Sequence, residues 1–169
     1  MPSKCCLERI YPVRIFSMSD DWITAGREII NARLVKDHKS LSSELGEIKL
    51  DYATPSVFRS SMYIQKVEAA CKKHMETGAQ IIFETLEDNL IGPGVVQSPV
   101  LNEKLKEEFL THFDVHAQLI LAFSEGAKCD EHIFKMLDLY SLKPRLVSEY
   151  NAKIDLLCRK LESEANKTG

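Results

Sequence analysis

Apolar residues recur at spacings of three and four through the middle of the chain, which is the period of an α-helix. Thr54-Pro55 and Ser98-Pro99 are helix-start signals, because a Thr or Ser oxygen caps a helix and Pro suits its first position. We therefore predict helices over about 56–90 and about 99–126. The first stripe is Val57, Ile64, Val67, Cys71, His74, Gly78, Ile81, Ile82 and Leu86, and the second, which is predicted to be buried, is Leu105, Phe109, Phe113, His116, Leu119, Ile120 and Phe123.

The first fifty residues carry a weaker pattern. Residues 1–18 show no helical period and are predicted to form an extended lead-in. A first helix is predicted over about 20–37, because Asp20 and Asp21 suit the positive end of a helix and an apolar stripe follows. A separate amphipathic stretch over about 41–52 is expected, with Gly46 lowering its helix propensity. The stripes are Trp22, Ile23, Ile29, Ile30 and Leu34, then Leu41, Leu45, Ile48 and Tyr52.

Towards the C-terminus, a helix is predicted to start near Asp130 and Glu131. Pro144 either kinks this helix or divides it from a sixth, because Pro is equally suited to the first turn of a new helix. The polar tail 163–169 is expected to fray. Together these elements predict an all-α fold with one domain over 19–162, in which antiparallel helices pack as a bundle or a short stacked-helix rod. The last stripe is Leu146, Tyr150, Ile154, Leu157 and Leu161.

Composition narrows the class of partner. The chain has 169 residues, 44% of them hydrophobic, which is enough to build a core. Charged residues make up 28%, but the net charge is only -3 and the basic residues fall mostly in pairs. Nucleic acid is therefore not expected as a partner, since no basic stripe is present to neutralise phosphates. For the same reason any membrane contact is expected to be peripheral and weak. The absence of a recognisable signal peptide and the odd number of cysteines predict a reducing, cytoplasmic location.

One pattern suggests a metal or thiol site. Cys71-x-x-His74 and Cys129-x-x-His132 are two matching pairs of zinc-type ligands, each at a helical i, i+3 spacing. The alternative is that Cys71, Cys129 and Cys158 are inert buried thiols and that His74 and His132 lie at the helix surface or boundary. We expect this second arrangement, because neither pair has the turn residues of a zinc knuckle.

No catalytic constellation is recognised. His112 and His116 are i, i+4 on one helix, but the Glu of a metalloprotease helix is missing, so both are expected in or near the core. Neither GxGxxG nor a phosphate-binding GxxxxGK occurs. We expect no enzyme activity, no catalytic residue, no bound metal and no cofactor.

A distinctive run lies in the last third of the chain, where Ile133 to Tyr140 reads IFKMLDLY. Ile133, Phe134, Leu137 and Tyr140 would share one helical face. From about 107 to 162 the chain resembles the Exo70 family of exocyst subunits, where an aromatic-x-Met-Leu-Asp-Met-Tyr run follows a helix rich in Leu, Phe and Ala. The chain has Cys-Asp-Glu-His over 129–132 where that family usually has Ser-Pro-Glu-Lys. The residues that match the family motif are Phe134, Met136, Leu137, Asp138 and Tyr140.

The resemblance implies a truncated or partial member of this family with a stacked-helix fold. It implies a non-enzymatic protein-interaction module in vesicle tethering and exocytosis, with exocyst subunits or their regulators as partners and peripheral contact with the plasma membrane as a further expectation. The alternative is a stand-alone helical bundle with a structural metal or a thiol redox role on Cys71, His74, Cys129 and His132.

Overall fold

The computed structural model describes residues 21–52, 61–90, 99–127 and 139–168. These residues form four α-helices and no strand: α1 Asp21–Asp51, α2 Ser61–Leu90, α3 Pro99–Gly126 and α4 Leu139–Thr168. The all-α prediction is confirmed, and the helices pack as a bundle. Helix α2 packs against all three of the others, and α3 and α4 also pack against each other.

Successive helices run antiparallel. At one end of the bundle the ring of Tyr52 on α1 packs edge-on against Tyr63 on α2, whose hydroxyl donates to the carbonyl oxygen of Ala127 after α3, at 3.1 Å. Towards the other end, Asn102 on α3 donates to Asp155 on α4 at 2.8 Å. The C-terminal end of α1, the N-terminal end of α2 and the C-terminal end of α3 therefore meet at the same end of the bundle.

The core is formed by the predicted stripes, with corrections at single positions. The side chains of Phe109, Phe113, Ile120 and Leu105 are fully buried, as expected. Leu119 was expected in the core but is 41% exposed, and Ile29 is exposed to the same extent. Both lie next to a buried isoleucine, and neighbouring residues on a helix point about 100° apart. Each of the two buried stripes is therefore one residue narrower than predicted.

The prediction of two separate elements over about 20–37 and about 41–52 is wrong. Residues 21–51 are one continuous helix that passes through Gly46. A single Gly costs a helix only about 1 kcal/mol, and no Pro lies between the two predicted stretches. Leu41, which is fully buried, ties the middle of the helix to the core.

The described C-terminal residues form a single helix. Helix α4 contains the exposed residue Pro144 without a break, so Pro144 does not divide two helices. The helix also continues to Thr168, and residues 163–168 are not frayed as expected. Glu164, Ala165 and Lys167 are good helix formers, which explains the extension. The lead-in 1–18 and the predicted helix starts near 56 and 130 lie outside the described residues.

Candidate functional site

A group of polar side chains lies between α1, α2 and α3, next to the hydrophobic core. We call it the buried histidine network, and it connects the helices through side chains that the sequence places far apart. Its members are Asp37, His38 and Glu44 from α1, Lys73 and His74 from α2, and His116 from α3.

His74 lies between two carboxylates. Its Nδ1 is 2.7 Å from Oδ1 of Asp37, and its Nε2 is 3.1 Å from Oε2 of Glu44. Because a carboxylate only accepts, each of these contacts is a hydrogen bond only where the ring nitrogen carries a proton. Lys73 also donates to Glu44 at 2.8 Å, and this hydrogen bond lowers the pKa of Glu44. The expectation that His74 lies at the surface or boundary is wrong, since its exposed fraction is 3%.

His116 connects the other two helices. Its Nε2 lies 2.9 Å from the carbonyl oxygen of His74, and its Nδ1 lies 2.8 Å from Nε2 of His38. A carbonyl oxygen can only accept, so Nε2 of His116 carries the proton. Nδ1 of a neutral His116 is then an acceptor, and His38 must donate to it. The two rings also stack, with centroids 4.9 Å apart.

Gly78 makes room for this arrangement. A Cβ atom built at position 78 would stand 2.0 Å from Nε2 of His116, far inside the contact distance. The pKa of His116 is lowered to about 4, chiefly by burial and in part by His38, while the hydrogen bond to the carbonyl of His74 opposes the shift. His116 is therefore a neutral, fully buried ring at physiological pH.

The environment of the Cys71 thiol is that of an unreactive residue. Cys71 is fully buried, and burial together with Glu44 and Glu68 raises its pKa to about 12. A thiol of this kind stays protonated at neutral pH and is a poor nucleophile or metal ligand. Cys158 is also buried, with its pKa raised by burial and by Glu162 and Asp155.

Two of the four residues of the alternative metal site, Cys71 and His74, lie in the part of the chain that the structure describes. No group of three or more His, Cys, Asp or Glu residues is arranged there to hold a metal ion. Both ring nitrogens of His74 are bound by carboxylates, which removes it as a free ligand. Cys129 and His132 lie outside the described residues. His112 lies near the core boundary, 3.7 Å from Glu108 of its own helix.

An apolar groove opens between α1 and α3 at the end of the bundle where these helices end. Its volume is about 470 Å³. Tyr63 of α2 lies among its lining residues, and Leu119, which sequence reasoning placed in the core, lies on its α3 wall. Lys49 is the charged residue among the described lining side chains. The lining consists of Ser42, Leu45, Gly46, Lys49, Tyr63, Leu119, Ala122, Phe123, Gly126 and Ala127. We call it the α1–α3 groove.

The residues of the family motif fall mostly beyond the described ranges. Phe134, Met136, Leu137 and Asp138 lie outside the described residues, so their role as structural residues of the motif stays a prediction. Tyr140 is described, and it is 55% exposed with its hydroxyl 3.2 Å from Glu125 on α3. Whether Tyr140 shares a helical face with Ile133, Phe134 and Leu137 stays a prediction.

Sequence reasoning did not identify the partners of His74 and His116. Asp37 stands on the apolar stripe of α1 between Leu34 and Leu41, which are both buried. A carboxylate at a core-facing position is seldom buried without a partner. That pattern was the available signal for the network, although it could not say which residue pairs with Asp37.

Comparisons with protein-family models, curated proteins and solved structures gave no match to this chain. None of the described helices is long and apolar enough to cross a membrane.

Proposed function

We propose that the chain is a non-enzymatic helical protein-interaction module that acts in vesicle tethering and exocytosis, as its resemblance to the Exo70 family implies. The observation that carries the proposal is the α1–α3 groove, an open apolar surface between two long helices. The antiparallel bundle is also compatible with the stacked-helix fold that the resemblance implies. In the described residues the buried histidine network connects three helices, and the Cys71 thiol near Glu44 is fully buried with its pKa raised to about 12.

The shape and charge of the groove favour an amphipathic helix as the occupant. Two roughly parallel helix walls with apolar residues between them accept the apolar face of a third helix, as in other helix-in-groove complexes. Leu119 and Phe123 are one turn apart on α3 and can contact the apolar face of such a helix. The ammonium of Lys49 favours a partner helix with an acidic residue beside its apolar face. We therefore propose an acidic amphipathic helix of an exocyst subunit or regulator as the partner.

Affinity purification of the tagged chain from its own cells tests this proposal. We expect exocyst subunits to be recovered with the unaltered chain and identified by mass spectrometry. Leu119→Glu should abolish their recovery, because a carboxylate would then stand in the apolar groove. Leu156→Glu is the matched control, since Leu156 is an exposed leucine, 68% accessible, on α4 and outside the groove lining.

Three outcomes decide between the parts of the proposal. Recovery of exocyst subunits by the unaltered chain and by Leu156→Glu, but not by Leu119→Glu, supports both the function and the groove. Equal recovery by all three chains rejects the groove as the binding surface. An unaltered chain that recovers no exocyst subunit rejects the tethering function.

A further inference from the structure

A hydrogen bond between two histidines joins α1 to α3, in addition to the ion pair of Arg27 with Glu108. His38 donates from Nε2 to Nδ1 of His116 at 2.8 Å, in the only donor and acceptor arrangement that leaves His116 free to donate to the carbonyl of His74. His38 lies one turn before Ser42, and His116 lies one turn before Ile120, next to Leu119. The hydrogen bond therefore closes the gap between α1 and α3 just below the α1–α3 groove.

We propose that the His38–His116 hydrogen bond is a proton-sensitive link that holds α1 against α3, and that protonation of this pair separates the two helices at the groove. His38 is half-buried and can take a proton at its free Nδ1 while still donating from Nε2. Once His38 is charged, a proton at Nδ1 of His116 leaves two N–H groups facing each other with no acceptor between them. In the closed bundle the doubly protonated pair has no hydrogen bond between its rings, and the charged ring of His116 is fully buried. Opening of the bundle at the groove is therefore favoured.

The charged groups around the pair do not remove this sensitivity. On the α2 side His74 faces it and contacts Asp37 and Glu44, and Lys73 is bound to Glu44. Asp37 raises the pKa of both rings; its Oδ1 contacts His74, and its Oδ2 is buried without a hydrogen-bond partner. On α3, His112 lies one turn away beside Glu108, which is bound by Arg27 of α1. Burial outweighs these contacts, and it lowers the pKa of both His38 and His116.

The size of the effect follows from the two states of His116. The ring has a pKa of about 4 in the closed bundle, against 6.5 where it is free of the bundle. Between about pH 7.5 and about pH 5 the ratio of open to closed molecules should therefore rise about 30-fold. The proposal does not require a partner protein, so it stands or fails separately from the tethering function.

Hydrogen–deuterium exchange read by peptide mass spectrometry tests the proposal on the full chain. Rates are divided by those of unstructured peptides at each pH. We expect protection of residues 42–51 of α1 to fall about 30-fold from about pH 7.5 to about pH 5 and to be insensitive to low concentrations of urea, because the opening is local, whereas protection of α4 should decrease with urea as global unfolding requires. A urea dependence of residues 42–51 equal to that of α4 would mean that both exchange by global unfolding and would overturn the proposal.

Two glutamine variants sharpen the test. His116→Gln has an amide that donates to His74 and accepts from His38 without titrating, so protection of 42–51 should become independent of pH. His112→Gln is the matched control one turn away, and it should respond as the unaltered chain does. If His116→Gln does not fold at neutral pH, His38→Leu takes its place and should open residues 42–51 already at about pH 7.5. A pH response unchanged in His116→Gln, or closed 42–51 in His38→Leu, contradicts the link.

Discussion

Gly78 and His116 are in such close contact that a methyl group at position 78 would overlap the imidazole ring, with 2.0 Å between Cβ and Nε2. The ring cannot simply turn aside, because it is fully buried and hydrogen-bonded at both nitrogens. The absence of a side chain at Gly78 is therefore a condition for the packing of α2 against α3.

The first prediction concerns this glycine. Gly78→Ala should lower the free energy of unfolding by about 2 kcal/mol, because overpacking typically costs about 1 to 3 kcal/mol and displacement of His116 leaves a buried donor unpaired. This loss should exceed the gain of up to about 1 kcal/mol that Ala brings to a helix. Urea unfolding measures the difference.

Gly46→Ala is the matched control for that prediction. Gly46 also lies inside a helix, but a Cβ there meets no atom within 4 Å. This variant should be more stable by about 0.5 to 1 kcal/mol, since only helix propensity changes. Equal effects of the two substitutions would show that the contact between Gly78 and His116 has no energetic importance.

The second prediction compares the two carboxylates that bind His74. Asp37 is 8% exposed, whereas the side chain of Glu44 is 32% exposed. Asp37→Ala should cost about 2 kcal/mol, because it leaves a buried ring nitrogen of His74 without its hydrogen-bond partner. Glu44→Ala should cost less than about 1 kcal/mol, since water can replace the carboxylate. Thermal unfolding near neutral pH measures both, and a Glu44 variant that is the less stable of the two would contradict the assignment.

The sequence predicted the helical class and most of the core because these depend on local periodicity. The stripe from Leu105 to Ile120 repeats every three or four residues, and the structure buries its phenylalanines as expected. The periodicity could not place Leu119, because its exposure depends on which neighbouring helix covers that face. In the structure α1 and α3 leave this face open as the groove.

The buried histidine network depends on contacts between distant parts of the chain. Asp37, His74 and His116 come from three helices, and the sequence does not specify which of their side chains meet. The Cys-x-x-His spacing suggested a metal site, because two types of ligand at i, i+3 can be recognised in the sequence. A carboxylate that contacts His74 from another helix cannot be recognised in this way. Local patterns thus predicted the elements, while the site required the packing.

The third prediction concerns acid stability. Burial lowers the pKa of His38, His112 and His116, so the unfolded chain binds more protons than the folded chain below about pH 6.5. Their contribution to stability is complete above that pH and is lost as the pH falls towards about 4. We expect a loss on the order of 2 kcal/mol between about pH 7.5 and about pH 4.5. Urea unfolding at several pH values measures it.

The pH range of this measurement separates the histidines from the carboxylates. Hydrogen bonds from Lys73 and Lys106 lower the pKa of Glu44 and Asp155, so their contributions are lost only at still lower pH. His116→Gln should reduce the pH dependence above about pH 4.5. A stability that stays constant over this range would show that the histidines are not buried as the structure has them.

The last prediction concerns metal and thiols. We expect no stoichiometric zinc in the purified protein and unchanged helical circular dichroism after treatment with EDTA, because His74 is occupied by Asp37 and Glu44. A structural zinc would contribute folding energy directly, so its removal would melt the helices. Cys71, whose pKa is raised to about 12, should react with iodoacetamide at about pH 8 only after unfolding. Mapping of the modified peptides measures this, with the chain in urea as the control. One zinc per chain, lost together with helicity, would favour the metal-binding bundle over the tethering module.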